Sequence, residues 1–452
     1  MSRFRLLGVL FAPLTCLLIM DGCSGFDRDN RVTASTSLTA TATARALVVG
    51  DEPFAVRAGS AVLAQGGNAA DAATAMFFAL SVTYPVAAGA GGGGICLTRQ
   101  ATGIVTEFDF LPRAASRGGA YAVPGAVRGF FDLQKRFGVL PWQRDVAPAE
   151  ALADAGFPIS AALESRLAGT ENTIRLDPML AGEFLDESGG LKRPGTVVTN
   201  HAYAHTLATI RQTGADGFAK TVGESLIAYS GTLTADDFAS AATRQSLAAR
   251  RILGQFTLSY PAAGTGAGAY SAALLSRIGD ASSASAGTVS LAAAKDALTN
   301  FGAVVIPADL GSTGFSVLDA NGAAVTCAVT MNGPFGSART VPDTGTLLAS
   351  APSGTAGLAS AFLMPLIATI GQTTRFAGAA AGGPNGAAAI TYALLRAAGG
   401  ARVAAPADIR STGAAPRDTI NLIVCQDICV PLPDPGGHGL GASGDPIADA
   451  AP

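Results

Sequence analysis

A serine and a threonine flanked by glycines, Gly311-Ser312-Thr313-Gly314, open a segment that alternates apolar and small residues through Phe315, Val317 and Asp319. It turns at Asn321-Gly322 and runs back from Val325 to Met331, the pattern of a β-hairpin. A hydroxyl at the front edge of such a strand is a candidate nucleophile, but it stays weak until a neighbouring base takes its proton. The chain has 3 histidines, His201, His205 and His438. His201 and His205 have metal-ligand spacing on one predicted helix, yet no Glu stands between them, so they read as surface or satisfied helix residues. That scarcity argues against a Ser-His-Asp triad, and a base of another kind is needed.

The remaining composition narrows the partners. Lys plus Arg number 30 against 33 Asp plus Glu, with no basic run or interleaved aromatics, so polynucleotide partners are excluded. The 49% hydrophobic fraction is mostly Ala and is accompanied by 56 Gly, which suits close packing of thin elements rather than membrane spans. Arg3 and Arg5 before the apolar run Leu6 to Met20 read as an export signal over residues 1–22. Gly22-Cys23 resembles the cleavage and lipidation site of bacterial lipoproteins, with plain secretion as the alternative. The Ser/Thr/Ala-rich residues 23–48 then form a tether. This places the protein in the periplasm, touching membrane only through a lipid anchor on Cys23. Of the other cysteines, Cys16 lies in the signal, and Cys96 and Cys327 read as small buried residues. Cys425 and Cys429 are close enough for a local disulfide in an oxidising compartment and make a poor zinc site without a second pair. No metal or cofactor is expected.

The elements that must position Ser312 begin near residue 55 with a helix, a break at Gly66-Gly67 and a second helix. Asn68 and Asp71 have the spacing of an N-cap with an acid at its third position, and Tyr84-Pro85 stops the helix. Gly91 to Gly94 lack the Lys-Ser/Thr ending of a phosphate loop and read as tight backbone packing beside a cleft. Helical patterns recur at residues 125–138, 148–157 and 200–214, weakly at 445–450, and the strands come late.

Over roughly residues 50 to 395 the chain resembles the γ-glutamyltranspeptidase family of N-terminal nucleophile hydrolases. The resemblance rests on "GGNAADAATAMFFALSVTYP...GAGGGG", "VPGAVRGFFDLQKRFGVLPW" with "PAEALADAGFPIS", and "TLTADDFAS". It implies an α+β fold, a four-layer αββα sandwich made by one self-cleaving precursor, with residues 49–311 as large subunit and 312–452 as small subunit. The family's small subunit begins with a hydroxyl nucleophile in a segment like Thr-Thr-His-Phe-Ser, and "STGFS" followed by Asp319 and Gly322 fits it without gaps. Ser312 therefore takes the nucleophile position and Gly311-Ser312 the cleavage point. The amine released by the cut would be the missing base, since with a pKa of about 7.7–8.0 roughly a tenth of it is neutral at pH 7.

A turn of Ala320, Asn321 and Gly322 sets Ser312 opposite Thr330, whereas a two-residue turn would offer Met331 instead. The resemblance gives Thr330 the role of hydrogen-bonding the nucleophile, Asn332 a substrate contact and Gly382-Gly383 the oxyanion hole. It also shows departures. Leu111 stands where the family has the arginine that holds the glutamyl carboxylate, Ala361-Phe362 replace two serines, and the aspartate for the α-amine is missing near Gly354. Arg113, on the same face as Leu111 if residues 109–113 are extended, is a candidate replacement. The reading is a hydrolase or acyltransferase for a small-molecule amide or γ-glutamyl substrate, with an altered glutamyl pocket. The alternatives are an amidase or acylase for an unrelated acyl group, and a catalytically silent envelope protein. For the anchor, labelled fatty acid is expected to enter the wild-type chain and not Cys23→Ser, and equal labelling of the two would contradict it.

Overall fold

The computed structural model describes residues 46–279, 283–302, 304–403 and 417–444. The signal, Cys23, the tether up to residue 45 and the pattern at 445–450 lie outside them. Leu47 and Val48, placed in the tether by composition, belong instead to a buried strand, Leu47–Gly50, whose apolar run Leu-Val-Val fills a sheet position.

Thirteen strands form two antiparallel sheets. Numbered in chain order they are β1 (Leu47–Gly50), β2 (Gly93–Arg99), β3 (Val105–Phe110), β4 (Arg244–Leu247), β5 (Ala249–Leu253), β6 (Phe256–Tyr260) and β7 (Ser312–Leu318). Then follow β8 (Ala324–Thr330), β9 (Met364–Ile370), β10 (Thr373–Ala381), β11 (Thr419–Cys425), β12 (Cys429–Leu432) and β13 (Leu440–Ser443). One sheet has the order β13-β1-β7-β8-β2-β3-β4 and the other β12-β11-β10-β9-β6-β5. They face one another through β7 and β8 against β9, β10 and β11. Leu47, Val49, Leu97, Leu318, Ile367, Ala377 and Ile423 meet between them.

Helices cover the outer faces. The first sheet carries α1 (Pro53–Ala64), α2 (Ala69–Thr83), α3 (Ala126–Phe137), α4 (Trp142–Ala155), α5 (Ala161–Leu167) and α6 (His201–Gly217). The second carries α7 (Gly268–Arg277), α8 (Ala286–Leu298) and α9 (Pro384–Ala398). The arrangement is helix, sheet, sheet, helix, the four-layer αββα sandwich.

Local sequence explains the key elements. Asn68 caps α2 through the N–H groups of Ala70 and Asp71, and the Asp71 carboxylate returns to the Asn68 N–H, a reciprocal capping box. The whole of α2 is buried, packed between α1, α4 and the first sheet. The hairpin turn is the three-residue one: Asp319 N–H donates to Ala323 C=O and Gly322 has φ +78°. Ser312 pairs with Thr330 and Leu318 with Ala324. Strand alternation then sends Phe315 and Val317 into the helical layer and Gly314, Ser316 and Leu318 between the sheets.

Cys96 and Cys327, expected as free buried residues, form a disulfide. They are buried, but they also lie directly opposite one another in β2 and β8, an adjacency that 231 residues of intervening sequence conceals. Cys425 and Cys429 are also joined, across the tight β11–β12 connection.

Asp71 has a second task, accepting the N–H groups of Val139 and Leu140 and the Gln134 amide. Beside it lies Asp145, fully buried, whose carboxyl is pushed from about 3.8 up to about 9 by burial and then by the negative Asp71. Asp145 is therefore a neutral acid at neutral pH, next to the Asp71 carboxylate. A raised carboxyl pKa contributes stability that is complete below the unfolded value and is lost as pH rises through the folded one. The expected result is that Asp145→Asn, which is neutral at every pH, removes a decline in melting temperature between pH 4 and pH 9 seen in wild type. Parallel melting curves for the two proteins across that range would contradict it.

Candidate active site

Strand β7 begins at Ser312 on the inter-sheet face, and the pairing with β8 brings Thr330 to the same place. Ser312 Oγ is 2.8 Å from Thr330 Oγ1 and 3.2 Å from the Leu310 carbonyl oxygen. Thr330 Oγ1 also lies 3.2 Å from the Gly311 carbonyl oxygen and accepts the Asn332 N–H at 2.9 Å. The Gly311 oxygen receives a second donor, the Met331 N–H, at 2.9 Å. Two donors thus converge on the carbonyl that precedes Ser312.

Glycine at 311 is a steric requirement. Its φ is +58°, and a Cβ there would sit 1.8 Å from the Gly333 carbonyl oxygen. Asn332 also has positive φ, +57°, which Asn tolerates better than most side chains. Its amide donates to the Ser350 carbonyl and its Oδ1 accepts from Ser360 Oγ, so the side chain is fixed beside Thr330.

Beside Ser312 lies a group of buried polar residues of which the sequence singled out Thr313 alone. Thr313, facing the helical layer, donates to Asp51 Oδ2 at 2.6 Å, and Asn421 Nδ2 donates to Asp51 Oδ1 at 2.7 Å and to the Gly314 carbonyl at 2.8 Å. Burial pushes the Asp51 carboxyl up, and the hydrogen bonds from Thr313 and Asn421 pull it back. Arg166 and Asp309 form a buried ion pair at 2.8 Å. A buried charge leaves no periodic signature in a single sequence, so no local pattern pointed to either group.

Gly382 and Gly383 join β10 to α9 with φ +93° and +146°. Gly382 is pressed against the backbone of Arg417 and Asp418, and Ile306 lies close to Gly383. Arg113 does not join Ser312: β3 ends at Phe110, and the Arg113 guanidinium donates to the Ala242 carbonyl. Leu111 goes inward, into a buried apolar group with Ile95, Ala267, Ala328, Leu363, Ala379 and Ala381. The residues Gly91 to Gly94 pack tightly, a Cβ on Gly91 falling 2.0 Å from the Leu347 carbonyl oxygen and one on Gly93 2.3 Å from that of Phe110. His201 and His205 are exposed on α6. Among the described residues no group of three or more His, Cys, Asp or Glu is placed to hold a metal.

The αββα layering with a hydroxyl at the edge of a central strand is the fold of the N-terminal nucleophile hydrolases. A cephalosporin acylase from Bacillus halodurans superposes with TM-score 0.70 at 17% identity, covering 88% of this chain and 96% of that one. The sequence profile described as Gamma-glutamyltranspeptidase matches residues 55–292, and the chain belongs to that family. Glutathione hydrolase 2 of Arabidopsis thaliana is 34% identical over 186 residues, 37% of this chain and 32% of that protein. Acylase ACY 1 proenzyme of Pseudomonas sp. (strain SE83) is 32% identical over 213 residues, 41% of this chain and 38% of that protein. The matches therefore span about a third of the length of these relatives, and the family match ends at residue 292, before Ser312.

The Thr330 hydroxyl connects Ser312, Gly311 and Asn332, so replacing it with a methyl strands buried partners. Thr330→Val is expected to cost about 1–3 kcal/mol, read as a lower melting temperature, while Thr330→Ser stays close to wild type. Equal melting of Thr330→Val and wild type would show that the hydroxyl network contributes nothing.

Proposed function

We propose that this protein is a self-processing amide hydrolase or acyltransferase whose nucleophile is Ser312. The observation that carries the reading is the convergence of Thr330 Oγ1 and the Met331 N–H on the Gly311 carbonyl, with Ser312 Oγ alongside. In the first reaction Ser312 Oγ bonds to the Gly311 carbonyl carbon, the bond from that carbon to the Ser312 nitrogen breaks, and the hydroxyl proton ends on that nitrogen. Negative charge develops on the Gly311 oxygen, where the two donors already point. Water then adds to the ester carbon, giving its proton back to Ser312 Oγ and leaving a free α-amine on Ser312.

That amine is the base for turnover. It takes the Ser312 hydroxyl proton as the serine attacks an amide substrate, and returns a proton to the leaving amine. The backbone at Gly382-Gly383 is the proposed oxyanion site and Asn332 the substrate contact. Residues 49–311 and 312–452 become the two subunits, in an exported, lipid-anchored enzyme.

The acyl group is not held as a γ-glutamyl group. Leu111 occupies the arginine position and is buried among apolar neighbours, and Arg113 is directed to Ala242. Losing one partner of a buried ion pair costs about 3–5 kcal/mol, so selectivity for γ-glutamyl donors falls by roughly a hundredfold or more. An uncharged acyl group suits the site better.

Intact mass and N-terminal sequencing of the reduced protein test the first reaction. Wild type should contain a chain beginning Ser-Thr-Gly-Phe, and Ser312→Ala should remain whole. A single uncut chain in both ends the proposal. For the acyl group, uncharged acyl anilides should be hydrolysed faster than a γ-glutamyl anilide, with Arg113→Ala unchanged. Efficient γ-glutamyl turnover that vanishes in Arg113→Ala would reinstate Arg113 as the clamp.

A further inference from the structure

Arg166 is a permanent charge buried next to the scissile bond, and the steps above give it no task. It lies on α5, remote in sequence from the hairpin, with a side chain 4% exposed. Nη2 is 2.8 Å from Asp309 Oδ1, Nη1 is 3.3 Å from the Ser312 carbonyl oxygen, and the guanidinium stands 5.5 Å from the centre of the Tyr84 ring. The same Asp309 Oδ1 accepts the Gly311 N–H at 2.8 Å. Burial alone would weaken the charge on Arg166, and Asp309, Tyr84 and Asp51 more than offset that.

These contacts bracket the bond to be cut. On one side Arg166 holds the Ser312 carbonyl directly, and on the other it holds the Gly311 N–H through Asp309. Between them the Gly311 carbonyl is pinned by Met331 and Thr330. Rotation about the Gly311 N–Cα and Ser312 Cα–C bonds is therefore restrained at both ends, while Gly311 is kept at φ +58°. A buried ion pair is often replaceable by apolar residues without loss of stability, so stability alone gives no reason for this one. A planar fork suits the double contact, which a lysine point charge does not reproduce.

We infer that Arg166, through Asp309, is the positioning residue for self-cleavage, holding the Gly311–Ser312 peptide so that Ser312 Oγ stays against the Gly311 carbonyl carbon. The inference rests on the proposed cut at Ser312. Its bond changes are those given above, and Arg166 exchanges no proton in them.

The test follows the loss of full-length chain after cell-free synthesis of the complete protein, read on reducing gels. Because a misplacement of about 1 Å can cost roughly a hundredfold, Arg166→Lys and Arg166→Gly should cut about a hundredfold more slowly than wild type. Asp309→Asn keeps an acceptor for the Gly311 N–H but loses the charge, and should cut about tenfold more slowly. A dilute guanidinium salt should restore much of the rate to Arg166→Gly, and sodium chloride at equal strength should not. That rescue separates positioning from a fold that has merely collapsed. Wild-type rates in Arg166→Lys and Asp309→Asn, or a slow Arg166→Gly that guanidinium leaves unchanged, would overturn the inference alone. A wild-type chain that never cuts would overturn it together with the reading of Ser312.

Discussion

The cross-strand pair Ser312–Thr330 exists only in the register set by the turn Ala320-Asn321-Gly322, because a slip of one residue sends every side chain of a strand to its other face. The turn lies at the opposite end of β7, about 20 Å away at the usual rise per residue. It is secured by Asp319, whose carboxylate accepts the N–H groups of Asn321 and Ala323 and also of Ala69 at the start of α2. The helical layer therefore reaches Ser312 through the hairpin, by fixing its far end.

The two faces of β7 are built for different neighbours. Phe315 and Val317 fill the helical core, where Phe315 stacks near Phe130. The face toward the second sheet is small and hydroxylated: Ser316 bonds Thr326, Thr326 bonds the Gly378 carbonyl, and a Cβ on Gly314 would stand 2.8 Å from the Ala379 methyl. Large side chains would separate the sheets, so the close approach of β7 to β10 depends on glycine and alanine. Asp51 fastens the assembly by accepting from Thr313 of one sheet and Asn421 of the other.

Features governed by neighbours in the chain could be read from the sequence. The capping box at Asn68, the hairpin turn and the pairing of Ser312 with Thr330 are of this kind, since each depends on spacing within a few residues or on strand alternation. Contacts between distant segments could not. Cys96 and Cys327 each sit in an unremarkable apolar strand, and only the order of strands makes them partners. Arg166 and Asp309 come from a short helix and a loop, and neither segment has a pattern that names the other. The alignment of Arg113 with Leu111 is of the same kind: it needs residues 109–113 in one extended run, whereas the strand ends at Phe110, Leu111 N–H bonds the Asp109 side chain and the Arg113 guanidinium bonds the Ala242 carbonyl.

The bridge between Cys96 and Cys327 lies on both sides of the proposed cut, one cysteine before Gly311 and the other after Ser312. Opening that peptide bond therefore makes two chains without making two molecules. The products share one covalent framework, so dilution cannot part them, and their reassociation carries no dependence on concentration. Under oxidising conditions a protein cut there would keep the connectivity of its precursor by a different bond. Thiol reductants, rather than the cut itself, decide when the halves become separable.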